Sequence, residues 1–146
     1  CNNGHCTYDG AQYTNGMLST YLNNTFLNSL SNYSSKIKNA IWYTGISGDV
    51  KSRTATAYVG LMDYDEYNAT KGKDWIYEGA YGNYFWLITP STKLSYLENY
   101  RVMYNGSYHL STEVVNSSSG SRPVVVFNGD IVFTSGNGTL ESPYVV

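Results

Sequence analysis

Residues 54–70 read TATAYVGLMDYDEYNAT. The first nine, Thr54 to Met62, carry no charge and end in bulky apolar side chains, which predicts a central β-strand. Asp63 follows at once, with Glu66 three positions on. At that spacing each carboxylate can accept the other residue's backbone N–H, so Tyr64 to Ala69 is expected to turn helical behind a capping box. A strand therefore hands directly to a helix.

Upstream, Leu18, Leu22, Phe26 and Leu30 recur every four residues, with Tyr21 and Leu27 widening the stripe, as an amphipathic helix requires. Asn15 is the expected N-cap. Asn23, Asn24 and Asn28 are poor helix formers, so this helix must be held by burial of its stripe. A short second helix is expected over Ser34 to Asn39, then a strand Ala40 to Thr44 and a polar loop from Ile46 to Arg53. Cys1 to Asn15 has no periodicity and reads as a loop-like segment.

Downstream, Thr70 to Asn83 is irregular, and Tyr84 to Thr89 is a strand stopped by Pro90. Asn105-Gly106 between Asn99–Tyr104 and Ser107–Val115 signals a type I′ hairpin, and Asn128-Gly129 between Arg122–Phe127 and Asp130–Phe133 signals another. Pro143 to Val146 is expected as a short closing strand. Helices come early and strands late, so the expectation is an α+β fold, early helices packed on a mostly antiparallel sheet with C-terminal hairpins. At 146 residues, 1–146 should form one domain.

Composition narrows the function. Lys and Arg number 9 against 11 Asp and Glu, and charged residues are 14% of the chain, so polarity comes from Asn, Ser, Thr, Gly and 16 tyrosines. A duplex binder needs clustered cations to displace counterions, yet no two basic residues are adjacent, as at Lys36/Lys38 and Lys71/Lys73. Nucleic acid is excluded as a partner. Apolar runs such as Pro123–Phe127 and Ile131–Phe133 fall far short of the roughly 20 residues that span a bilayer. A neutral, tyrosine-rich surface suits contact outside the cell, which predicts an extracellular or cell-surface location. The start at Cys1, without Met or signal peptide, leads to the expectation of a processed or partial chain whose N-terminal anchor is missing. Six sequons, at Asn23, Asn32, Asn68, Asn105, Asn116 and Asn137, are candidate glycan acceptors in a glycosylating host.

Three blocks carry a likeness to a known family. LSTYLNNTF (18–26) with Lys36-Ile37, VGLMDYDEY (59–67), and FWLITPS (85–91) followed by the hairpin and SRPVVV (121–126) cover nearly the whole chain in order and spacing. The tail, GNGT (136–139) with SPYV (142–145), completes the pattern. In these blocks the chain resembles a mostly uncharacterised family of secreted bacterial domains that often follow prepilin-type or other surface-anchoring N-termini. The resemblance implies a C-type-lectin-like fold, akin also to that of sulfatase-modifying enzymes. It departs from the family at Ile88, where Arg is usual, and at Gly120, where the Gly before Arg-Pro is displaced.

Candidate chemistry is sparse. Cys1, His5 and Cys6 lie within six residues; a Cys1–Cys6 disulfide is favoured for a secreted chain, a metal site or an intermolecular or lipid-modified Cys1 being the alternatives. No metal or cofactor is expected. His109 reads as a surface imidazole on a hairpin strand, and no Gly-x-Ser-x-Gly elbow exists, so no enzyme is expected. The sulfatase-modifying activity depends on cysteines in the body of the fold, and none lies beyond Cys6. Asp63, Asp65 and Glu66 are explained by helix capping, and Asp74 with Glu78 forms no calcium-lectin loop. Arg122 is expected to make a structural ion pair or cap carbonyls. Trp75, Tyr77, Tyr81 and Tyr84 crowd the irregular stretch without periodicity to bury them and are the candidate contact surface. The composition and resemblance together predict a non-enzymatic subunit of a pilus, filament or other surface appendage, self-associating or adhesive; the alternative is a carbohydrate- or receptor-binding lectin-like module.

Overall fold

The computed structural model describes residues 16–70, 84–90, 98–104, 108–114, 119–137, 139 and 141–145. Its first element is the helix expected from the leucine spacing, but the helix is not uniform. Helix α1 (Met17–Tyr21) passes into a π-helical turn (Leu22–Phe26) and then α2 (Leu27–Ser29). Gly16, not Asn15, occupies the N-cap position. The buried stripe also differs from the expected one. Ser19 and Leu22 are buried and Phe26 and Leu27 pack on the core, whereas Leu18 and Tyr21 are exposed. The face that docks runs through Ser19, Leu22, Asn23, Phe26 and Leu27, a helical stripe containing two polar residues that a hydrophobic spacing does not register. The second helix is a 3-10 turn over Ser31–Lys36, earlier than the expected Ser34–Asn39.

Strand β1 (Ala40–Tyr43) pairs antiparallel with β2 (Thr54–Ala57), Trp42 opposite Ala55. The expected single strand 54–62 is in fact two. It breaks at Tyr58, and β3 (Val59–Leu61) joins a different sheet, antiparallel to β8 (Pro123–Val125). Helix α3 (Tyr64–Thr70) forms behind the capping box as expected: Asp63 N–H donates to Glu66 Oε2 at 2.9 Å and Glu66 N–H donates to Asp63 Oδ1 at 2.8 Å.

The third sheet is four-stranded, in the order β6-β5-β4-β7, built from β4 (Tyr84–Pro90), β5 (Glu98–Tyr104), β6 (Tyr108–Val114) and β7 (Gly120–Ser121). Its pairs are antiparallel except β4 with β7. The first expected hairpin is thus present, but Tyr104 pairs with Tyr108, so residues 105–107 connect the strands rather than a two-residue turn; those three lie outside the described residues. The architecture is α+β with small, mostly antiparallel sheets.

Strand β4 is covered on both faces. Trp86 and Ile88 join Leu22, Trp42, Ala57, Val59 and Leu61, while Phe85 and Leu87 pack with Tyr67 of α3. Thr89, on the same side as Leu87, accepts the Tyr64 N–H at its hydroxyl, 2.9 Å away, and so ties α3 to the sheet. Burying six apolar side chains in the first cluster is the main stabilising term at roughly 1.5–3 kcal/mol each for the large ones.

The second expected hairpin does not form. Beyond β8, Phe127 bridges Ile37, Asn128 N–H donates to Lys36 O, and residues 130–133 take no strand. The returning chain pairs instead with the C-terminal segment, where Thr134 N–H donates to Val145 O, Val145 N–H donates to Ser135 O, and Phe133 stacks on Tyr144 at 4.6 Å. The expected closing strand is therefore a single bridge at Val145. Gly136 permits it: at φ +91° it occupies the left-handed region, and a Cβ there would strike the Pro143 carbonyl and stand 2.8 Å from Tyr144 Cα.

Candidate functional site

The strand break at Tyr58 is built by one side chain. Asn23 Oδ1 accepts the N–H groups of both Tyr58 and Val59 at 2.9 Å, and its Nδ2 donates to Ser19 O and Val59 O at 3.0 Å. Two donors and two acceptor directions are the full capacity of a carboxamide, so Asn23 is saturated. It pins the π-helical turn to the point where the chain changes sheets.

Beside this junction lies an open groove of about 200 Å³ lined by Ser19, Asn23, Asn39, Thr56, Ala57 and Tyr58. None of these carries a charge. Trp42, behind the groove, is buried and donates its indole N–H to Ala57 O at 2.9 Å, which fixes the strand floor.

A second surface feature is the free side of β1. Thr44 N–H donates to Arg53 O, so Thr44 and Arg53 form a hydrogen-bonded pair, and by alternation Trp42 with Ala55 does too. Ile41 and Tyr43 then turn their N–H and C=O groups away from β2. Among the described residues no strand meets that edge. Ile41 is 65% exposed, and the Lys51 ammonium stands 5.5 Å from the Tyr43 ring centroid.

Of the four residues expected to form a contact surface, Tyr84 alone falls within the described residues. Trp75, Tyr77 and Tyr81 lie outside the described residues, as do Cys1, His5 and Cys6; Tyr84 opens β4, half-buried, opposite Met103. His109 also pairs with Met103, from β6. Arg122 places its guanidinium 5.0 Å from the Phe85 ring centroid, a cation–π contact that holds the β7–β8 turn on β4. Among the described residues no three His, Cys, Asp or Glu gather as metal ligands, and no helix is long and apolar enough to cross a membrane.

The sequons fall into different environments. Asn32 is exposed on the 3-10 turn, Asn68 donates to Tyr64 O at 3.0 Å, and Asn137 is exposed with its Oδ1 accepting the Thr139 N–H. Asn105 and Asn116 lie outside the described residues. Asn23 differs from the three described ones, because a sugar on Nδ2 and its two donated hydrogen bonds exclude each other.

The capping box has a titration consequence. Burial raises the Glu66 carboxyl above its ordinary 4.5, the Asp63 N–H opposing this and the Asp63 carboxylate adding to it. The folded state therefore holds the Glu66 proton more tightly than the unfolded state. Its contribution to stability is fullest below the ordinary value and is lost as pH rises through the window above about 4.5. Glu66→Gln keeps an acceptor for the Asp63 N–H and should flatten that decline in a series of thermal midpoints from acid to neutral pH; an unchanged slope would place its origin elsewhere.

Comparison of the chain with protein-family profiles, with curated proteins and with solved structures finds no match in any of the three.

Proposed function

We propose that the chain is a non-enzymatic extracellular domain that builds or decorates a surface appendage, such as a pilus, filament or adhesin, on a C-type-lectin-like form of the α+β fold. The block order of the sequence and its neutral, tyrosine-rich composition support this reading. The observation that carries it is the edge of β1. Sheet edges are ordinarily protected from pairing by Lys, Pro, bulges or cover, and Ala40-Ile41-Trp42-Tyr43 contains no charge, no Pro and no irregularity. An exposed, uncharged edge is a template for a strand of a neighbouring copy, and repetition of such pairing extends an assembly.

Sedimentation of the wild type against Ile41→Lys tests this. The wild type should associate as its concentration rises, and the lysine should weaken that association about tenfold or more while leaving the thermal midpoint unchanged, because the side chain it replaces is exposed. A wild type that stays monomeric at every soluble concentration overturns the reading.

A further inference from the structure

We infer that the groove beside Asn23 is a binding subsite for an uncharged polyhydroxylated ligand, one pyranose ring of a neutral glycan. The groove offers hydrogen-bonding groups that nothing in the fold consumes. Among the described residues, the Ser19 and Thr56 hydroxyls, the Asn39 carboxamide and the Tyr58 phenol have no hydrogen-bond partner, whereas Asn23 beside them is fully engaged. Hydroxyls and carboxamides both donate and accept, which is what neighbouring sugar hydroxyls require of a protein.

Charge and size narrow the class further. With no charged side chain in the lining, a phosphate, carboxylate or ammonium ligand would lose its hydration without a counter-charge. At about 200 Å³ the groove is smaller than the pockets of roughly 300 Å³ and above that enclose drug-sized molecules, and it suits a single ring. Tyr58 is 43% exposed at its rim and supplies aromatic surface of the kind that the apolar C–H face of a pyranose covers. The floor is preorganised, because Asn23 and the Trp42 indole lock the backbone of Ala57, Tyr58 and Val59. The site does not depend on assembly through β1.

The test is an amide NMR titration of the folded chain with glucose, galactose, mannose and N-acetylglucosamine, with glucuronate as the charged counterpart. At least one neutral sugar should give saturable shifts centred on Ser19, Asn39 and Thr56 to Val59, with a dissociation constant in the millimolar range, and glucuronate should bind more weakly. Tyr58→Ala and, independently, Asn39→Ala should each weaken binding about tenfold without altering the sedimentation behaviour. Absence of saturable shifts with all four neutral sugars overturns the inference, as does binding that survives both substitutions unchanged. Loss of sugar binding with association intact, or the reverse, separates this site from the β1 edge.

Discussion

Gly60→Ala is expected to destabilise the protein by about 3 kcal/mol or more, the upper end of what overpacking a core produces. A Cβ on Gly60 would stand 2.7 Å from Trp42 Cε2 and closer still to Cδ2 and Cε3. The indole has nowhere to retreat. It is buried among Leu22, Val59 and Ile88 and tethered through its N–H to Ala57 O, while Gly60 itself is held opposite Val124 in the β3–β8 pair. Against a total stability of roughly 5–15 kcal/mol such a loss is large, and it should appear as a lower denaturant midpoint with an unchanged slope. Trp42→Ala in the same chain removes the clashing atoms, so the double variant should lose less than the sum of the two single losses. A midpoint that hardly moves in Gly60→Ala would mean that the ring is not held where the structure places it.

Asn23→Ala removes four hydrogen bonds in one step. At about 1 kcal/mol net for each, the expected loss is roughly 3–4 kcal/mol, exceptional for a residue that is neither apolar nor charged. Asn23→Asp should also be severe, for a different reason. Its carboxylate can still accept from Tyr58 and Val59, but it turns a second oxygen toward the Ser19 and Val59 carbonyls where Nδ2 donated. Protonation restores one donor, so the aspartate variant should regain stability as pH falls, whereas the alanine variant should not. Thermal melts of both variants at neutral and acid pH decide it; equal behaviour of the two would show that the carbonyl contacts contribute nothing. In a glycosylating host, peptide mapping of the folded protein should find Asn23 bare.

The parts of the fold that were legible are those whose causes are local. Asp63 and Glu66 announce their helix because both halves of the capping box lie within four residues. The strands around Trp42 and Trp86 follow from short uncharged apolar runs, and β5–β6 from the Asn105-Gly106 signal between two β-rich runs. What was misread depends on distant partners. Nothing within Thr54–Met62 reveals a break, because the group that takes the Tyr58 and Val59 N–H bonds sits on a helix 36 positions from Val59. The helix face was misassigned for the same reason: Ser19 and Asn23 belong to the buried stripe only because a sheet junction meets them. Asn128-Gly129 carries a strong hairpin signal, but Ile37 and Lys36 had already engaged the chain there.

The groove was invisible in the sequence. Ser19, Asn39, Thr56 and Tyr58 are ordinary residues in three separate segments, with no spacing that connects them. The one local signal was the sequon at Asn23, and it pointed to glycan attachment rather than to a structural carboxamide.

The pairing of β3 with β8 also governs when this chain can fold. Val59 lies near the middle of the sequence and waits for Val125, with Phe85 and Trp86 waiting likewise for Gly120 and Ser121. Closing such separations costs loop entropy before any contact offsets it, which makes them late and slow steps. A chain delivered N-terminus first, from a ribosome or through a translocation pore, therefore cannot complete its central strands until residue 125 has emerged. Until that moment β3 lacks its strand partner β8 and β4 lacks β7, so the partners on which both strands depend arrive last.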